Sequence, residues 1–377
     1  MKVCFVSHSS QKGGAERALI ETIEALKKKG VDCYVLIPEN GPFIYELRKR
    51  NIPFSKISYK RWIDWESSPL WKRLKDAIIN LFMIFPIVLK MIEWQCDIVY
   101  TNTVGVSVGA IAARIIGRPH VWHIHEFFGR EENDIVFHFG QNLSLKLIDK
   151  LSALCIVTSN AIAQKYKQYI MPTKVRVIYQ SVTVSELRPI SPDGNGFKCI
   201  IVGFLCNTKR QEDSIKAVAE LVHAGLSIEL YIVGGGGPEY EQHLKRMVSK
   251  AHIGDHVKFV GYVEDVYSYM KNADVVLVCS KSEAFGRVTV EGMLAGKPVI
   301  GAEKAATGEL IRDGFNGLLY TLGDYKELAE KIKYLYDHRP LARQMGENGK
   351  VWANQLFSQE RYGEEMLTIL NSLIKRR

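Results

Sequence analysis

Residues 275–301 read VVLVCSKSEAFGRVTVEGMLAGKPVIG. The run 275–279 is short, apolar and β-branched, 288–295 is amphipathic, and 298–301 returns to a β-prone run. The stretch therefore predicts strand, loop, helix and strand. A helix between two apolar strands is the crossover unit of a parallel sheet covered by helices.

The same alternation extends in both directions. Towards the C-terminus it predicts a helix over 325–337. Towards the N-terminus it predicts strands over 198–202, 229–233 and 257–261 with helices over 211–224 and 239–251. Periodicity stops over 185–196, where Pro189, Pro192, Asp193, Gly194, Asn195 and Gly196 make linker chemistry. Before that break it resumes, with strands over 2–7, 32–37, 98–101, 120–125, 154–158 and 175–179 and helices over 13–29 and 42–50. The expected class is α/β, with two Rossmann-like domains over 1–190 and 191–359. A length of 377 residues suits two domains better than one.

Charge divides at the same break. Residues 1–190 hold 26 basic and 17 acidic side chains, which is the whole net charge of +9. The first domain is thus expected to meet something anionic. The 7 cysteines include no Cys-x-x-Cys pair, and Cys4, Cys33, Cys96, Cys155, Cys199 and Cys279 lie in or beside apolar runs, as reduced core thiols do. The first residues lack the apolar stretch and cleavage site of a signal peptide, so a cytoplasmic protein is expected. The apolar run 77–92 is interrupted by Asn80, Pro86 and Lys90 and is too short to span a bilayer; it reads as a buried helix.

In doubly wound sheets ligands sit beyond the carboxyl ends of strands. The first such loop contains Gly13-Gly14-Ala15-Glu16-Arg17 and opens a helix, where free N–H groups suit a phosphate; a plain strand-to-helix turn fits equally. Gly234 to Gly237 misses the dinucleotide spacing because Glu239 stands where the third glycine belongs. The richest loop is the opening one. On a continuous helix the eight-residue separation of Glu283 and Glu291 puts the two carboxylates within about 80° of each other. Glu291 sits among Val288, Val290, Met293 and Leu294 and needs a specific partner, such as sugar or ribose hydroxyls or a structural cation. Glu283 taken singly also fits a helix N-terminal charge.

Gly13-Gly14-Ala15-Glu16-Arg17, then His125-Glu126, then Gly203 with Lys209, then Glu283 and Glu291 followed by Gly296-Lys297-Pro298-Val299-Ile300 resemble, in order and over nearly the whole chain, the GT4 family of retaining glycosyltransferases. The resemblance implies the GT-B fold: two Rossmann-like domains with parallel sheets facing across a cleft, acceptor in the first and donor in the second. It implies a last helix, about 360–377, packing back on the first domain. It also implies roles. Glu283 would contact the donor sugar and help stabilise the reacting centre. Backbone N–H groups of Phe285, Gly286, Arg287 and Val288 would meet the diphosphate or sugar, and Glu291 would accept both ribose hydroxyls. Lys209 would neutralise the diphosphate beside Gly203, with Gly13 and Gly14 completing the donor loops. His125 would contact the sugar or the attacking hydroxyl, and His123, on the same strand face, is the alternative or a structural neighbour.

Two positions depart from the family pattern. Phe204 stands where an Arg usually follows the glycine, so Arg210, Arg287 or an N-terminal-domain residue is left to replace that cation. Gln180-Ser181-Val182 stands where Asn-Gly-Val is frequent, and no role is carried over to that loop. The acidic pairs Asp64-x-Glu66 and Glu132-x-Asp134 are not Asp-x-Asp, so no metal and no other cofactor is expected.

The expected activity is transfer of a sugar, with retention, from a nucleoside diphosphate sugar, UDP favoured, to a glycan or lipid-linked acceptor. An epimerase or phosphorylase on the same fold, or a nucleotide-sugar-binding subunit without catalysis, are the rivals. A nucleic-acid partner is not expected, since no recognition helix accompanies the basic excess. Trp62, Trp65, Trp71 and Trp94 gather with Lys60, Arg61, Lys72, Arg73 and Lys75, and the segment Lys60 to Lys75 is the expected contact with an anionic membrane surface, which would make the protein peripheral.

Overall fold

The computed structural model describes residues 1–11, 13–64, 68–129, 135–184 and 196–375. The stretch read as a linker, 185–196, lies outside them except for its last residue, Gly196. Lys12, Trp65, Glu66, Glu132 and Asp134 lie outside them too. The chain divides into two units, Met1–Ser181 with Ser358–Arg377, and Val182–Phe357.

Unit 1 carries β1 (Lys2–Val6), α1 (Gly14–Lys28), β2 (Asp32–Ile37), α2 (Phe43–Lys49), β3 (Phe54–Lys56), β4 (Ile63–Asp64), α3 (Leu70–Glu93), β5 (Ile98–Asn102), α4 (Val108–Ile115), β6 (His120–Ile124), β7 (Val136–Phe137), α5 (Gln141–Leu151), β8 (Leu154–Val157), α6 (Asn160–Tyr166) and β9 (Val175–Val177). Its main sheet runs β3-β2-β1-β5-β6-β8-β9, with all neighbours parallel. Alternate residues of a strand face opposite sides, and β1 shows the consequence. Val3 and Phe5 enter a core with Leu19 and Ile23 of α1, whereas Cys4 and Val6 enter a second core with Ile87 and Met91 of α3 and Ala112 of α4. Burial on both faces explains why the strands read as uninterrupted apolar runs.

Unit 2 carries β10 (Phe197–Val202), α7 (Gln211–His223), β11 (Ile228–Val233), α8 (Pro238–Lys250), β12 (Val257–Gly261), α9 (Val266–Asn272), β13 (Val275–Val278), α10 (Arg287–Leu294), β14 (Val299–Ala302), α11 (Ala305–Leu310), β15 (Gly317–Tyr320), α12 (Tyr325–Asp337) and α13 (Arg339–Leu356). The sheet order is β12-β11-β10-β13-β14-β15, again parallel throughout. In each unit the first strand is central and the winding reverses beside it, between β1 and β5 and between β10 and β13. The loops leaving those strands diverge there and open a crevice.

The last helix, α14 (Gln359–Ile374), packs on α1 of unit 1. Buried Tyr362 meets the Thr22 hydroxyl at 2.8 Å, and Lys29 pairs with Glu360 and, at 3.2 Å, with Glu364. Met366 and Leu370 join the α1 core.

Two expectations about residues 60–94 are reversed. Trp62 is buried rather than at the surface: its indole stacks on Trp122 with ring centres 5.9 Å apart and donates to the Val104 carbonyl. The 77–92 run is one part of a longer helix, α3, and is not a buried one. Ile87 and Met91 are its buried side chains, while Phe82 and Phe85 are each 68 % exposed. A 24-residue helix laid beside one sheet buries a single narrow stripe, so an apolar composition alone does not cover its other sides.

The glycine cluster after β11 has a packing role. Gly234 adopts φ 142°, and a Cβ there would stand 1.9 Å from the Gly203 carbonyl oxygen, because the two loops cross and Gly203 donates to the Val233 carbonyl. Gly234→Ala is expected to destabilise unit 2 by at least about 2 kcal/mol, combining backbone strain with a backbone clash. Urea titration followed by circular dichroism checks this; an unchanged midpoint would show that the crossing relaxes freely.

Candidate active site

In unit 2 two loops lie side by side beyond β10 and β13. They are tied by the Lys281 N–H to the Thr208 carbonyl at 2.8 Å and by Lys281 Nζ to Asn207 Oδ1 at 3.1 Å. Across this junction Lys209 Nζ meets Glu283 Oε1 at 2.5 Å. Burial works against the Lys209 ammonium, but the facing Glu283 carboxylate outweighs it and lifts the lysine above its ordinary pKa. Lys209 is therefore a fixed cation, and its stem passes beside Gly203.

Glu283 and Glu291 do not share a helix, so the angle expected from continuous helical spacing does not apply. Gly286, at φ 84° in the left-handed region, turns the chain, and α10 begins one residue later at Arg287. The free N–H groups of the first turn of α10 open at this point, as do those of any helix start. Phe285 turns its ring inward against Phe357, 5.8 Å between centres, which leaves its backbone as the part available to a ligand. Val288 is half-buried in that first turn. Glu291, one turn into α10, lies 3.8 Å from the Arg287 guanidinium.

Two of the candidate replacements for the missing family arginine are already engaged by acids. Arg210 makes a bidentate pair with the buried Asp213 at 2.6 and 2.8 Å, and that bond raises the arginine pKa further. Arg287 faces Glu291. Phe204 itself is 64 % exposed.

In unit 1 the loops beyond β1, β5 and β6 converge. Glu16, buried, accepts from Ser9 Oγ at 2.5 Å and lies 3.5 Å from His8 Nε2. Gly13 is the N-cap of α1, and a Cβ on it would meet Glu16 Oε2 at 2.6 Å, so its glycine serves this fold-back. A Cβ on Gly14 would meet nothing. His125 is half-buried, with Nε2 2.8 Å from Asn102 Oδ1 and Nδ1 2.6 Å from Gln180 Nε2. An amide nitrogen only donates, so Nδ1 accepts and Nε2 carries the proton. His123 is wholly buried, bonded through Nδ1 to the Tyr100 hydroxyl at 2.7 Å, and burial pushes its pKa down to about 3. Of the pair, His125 is the one with solvent access and His123 is its structural neighbour, 4.0 Å ring to ring.

Sequence reading missed Asn102 and Gln180. Asn102 ends a central strand beside the reversal, which is a usable signal; Gln180 lies in the loop for which no role was carried over. Glu126 was noted only as the neighbour of His125. Its carboxylate accepts from the Val104 N–H at 3.3 Å and the His125 N–H at 3.2 Å, yet burial dominates and pushes its pKa up to about 7. A carboxyl raised from the ordinary 4.5 stabilises the fold fully below that value and loses the contribution as pH rises through about 7. Glu126→Gln is therefore expected to gain thermal stability relative to wild type as pH rises from about 5 to about 8. Melting midpoints of both proteins across that range check it; a difference constant with pH would show an ordinary carboxylate.

The model described as Glycosyltransferase Family 4 matches residues 12–186, and that described as Glycosyl transferases group 1 matches 185–352. EpsD of Bacillus subtilis, whose name assigns it provisionally to the glycosyltransferases, is 29 % identical over 92 % of this chain and 90 % of its own length. The lipopolysaccharide core biosynthesis glycosyltransferase LpsD of Rhizobium meliloti is 23 % identical over the whole of both chains. Among solved structures, Anabaena Alr3699/HepE in complex with UDP superposes with a TM-score of 0.83 at 26 % identity, over 99 % of this chain and 100 % of that one; its complex with UDP-glucose gives 0.80. The chain belongs to the GT4-type glycosyltransferases and has their GT-B fold.

Proposed function

We propose that the protein transfers a sugar, with retention of anomeric configuration, from a UDP-sugar to a hydroxyl of a glycan or lipid-linked precursor. The observation that carries this reading is the Lys209–Glu283 pair on the joined loops of unit 2, just before the helix that carries Glu291 in its second turn. The binding of UDP and UDP-glucose by the similar HepE supports the choice of donor.

In the transfer, the bond between the anomeric carbon and the diphosphate oxygen breaks, and the diphosphate leaves with the electron pair. The acceptor oxygen bonds the same carbon and gives up its proton to the departing diphosphate oxygen. Charge develops on phosphate oxygens, where Lys209 and the first N–H groups of α10, from Arg287 and Val288, offer a cation and fixed dipoles without reorganisation. Glu283 orients the Lys209 ammonium and takes hydroxyls of the donor sugar; Glu291 takes the ribose hydroxyls. Gly203, beside the Lys209 stem, and Phe285 with Gly286 bring backbone close to the diphosphate. Unit 1 holds the acceptor. There His125, as the neutral Nε2–H tautomer, is a hydrogen-bonding contact rather than a free base, because Asn102 and Gln180 occupy both ring nitrogens. The helix start at Gly13 and Gly14 offers N–H groups. No metal is assigned a step.

Glu283→Gln is expected to lower turnover by at least about a hundredfold with the fold intact, because an interaction made with the reacting sugar counts in the transition state. Lys209→Ala should raise the donor KM and lower kcat together. Glu291→Ala should weaken UDP binding about tenfold or more, as loss of charge-assisted hydrogen bonds does. Release of UDP coupled to acceptor glycosylation, together with UDP titration calorimetry, reads all three; normal kinetics in Glu283→Gln would remove the reading. Activity should also survive EDTA. Loss restored by Mg²⁺ or Mn²⁺ would assign the diphosphate to a metal instead.

A further inference from the structure

Helix α3 presents Trp71, Leu74, Ile78, Phe82, Phe85 and Leu89 to solvent, each at least half exposed. At 100° per residue these positions fall within one stripe about 80° wide; Ile92 continues it along the helix and Leu81 widens it at one edge. The stripe runs about 30 Å along the helix at 1.5 Å per residue. No polar side chain interrupts it. The opposite side of the helix, through Ile87 and Met91, is fastened to the unit 1 core. The helix is therefore held with its apolar face outward, which is the reverse of how an amphipathic helix normally packs in a soluble domain.

Charge identifies the occupant. Exposed Lys75 borders the stripe on the helix itself, exposed Lys60 lies on the adjoining segment, Glu93 on the same margin is paired with Lys90 at 2.6 Å, and residues 1–190 hold the entire net charge of +9. A second copy of the same face would bring lysines against lysines, whereas an anionic surface complements them. Trp, Phe, Leu and Ile on one side with lysines at the margin is the pattern of a helix lying in the plane of a bilayer. No helix among the described residues is long and apolar enough to cross a membrane.

We propose that α3 inserts its exposed apolar face into the interfacial region of an anionic lipid membrane, with Lys60 and Lys75 engaging the headgroups. Insertion, and not only attraction to charge, is the substance of the proposal: the side chains that enter are Phe82, Phe85 and Leu89, and the buried Trp62 takes no part. The inference is independent of the sugar chemistry. A failed transfer assay leaves it standing, and a failed lipid assay leaves the transfer reading standing.

The test is flotation of the full chain with vesicles of phosphatidylcholine alone and of phosphatidylcholine with phosphatidylglycerol. Wild type should float with the anionic vesicles at low salt, and the fraction bound should fall as salt rises. Phe82→Ser/Phe85→Ser should lower binding at least tenfold, and Lys60→Glu/Lys75→Glu should do the same at low salt. Both variants replace exposed groups, so unchanged melting midpoints are expected and serve as the folding control. Trp71 emission should shift to shorter wavelength on binding, and the shift should be absent in Trp71→Phe. Wild type left in the supernatant with both vesicles overturns the proposal. Full binding by the phenylalanine variant overturns insertion. A wild-type dimer in sedimentation velocity that Phe82→Ser/Phe85→Ser converts to monomer, without vesicle binding, assigns the face to a second copy.

Discussion

The reversal of winding beside the first strand of each sheet is the constraint on which the rest depends. A parallel strand must be reached by a right-handed crossover, so strands added to either side of β1 or β10 send their helices to opposite faces. The two loops leaving the adjacent central strands then separate, and the space between them has no side chain of the sheet to fill it. In unit 2 that geometry sets the loops after β10 and β13 on either side of the opening, and with the Lys281 bonds tying them it brings Lys209 to Glu283, although the two stand 74 positions apart in the chain. In unit 1 it brings Asn102 to His125 and Glu16 to the end of β1.

The site in unit 2 is held by backbone before any charge is placed. Gly203 and Gly234 allow the loops after β10 and β11 to meet at main-chain distance, and the Lys281 amide fastens the loop after β13 to the one after β10. The ion pair spans a junction that is already rigid. Its short distance is thus inherited from the loops and does not have to be created by two long side chains searching for each other, which is where exposed ion pairs lose most of their value.

How much of this was legible depends on what each feature rests on. Strands β2 and β12 and helix α12 coincide with the runs read from hydrophobic period, because a β-branched run and an amphipathic helix write their boundaries in adjacent residues. Lys209, Glu283 and Glu291 were visible as residues in loops after strands. Their mutual geometry was not, since the left-handed turn at Gly286 breaks the helix that spacing alone would draw through both carboxylates. Gln180 and Asn102 acquire meaning only from a histidine far away in sequence. Trp62 and α3 exchanged places with expectation for one reason: composition states how apolar a segment is, and the neighbours supplied by the fold decide which part of it is covered. Trp122 happened to lie against Trp62, while Phe82 is left 68 % exposed.

Unit 1 is assembled from both ends of the chain, with α14 seated on α1 and Tyr362 bonded to Thr22. Unit 2 is contiguous and emerges from the ribosome whole before the last helix has been made. During that interval α1 shows translation's unfinished surface, the apolar patch that Met366 and Leu370 will later cover. Synthesis therefore closes the second unit first and leaves the first waiting for its final sixteen-residue piece. The order of completion is written into the connectivity: the first unit becomes whole only when the second is already formed.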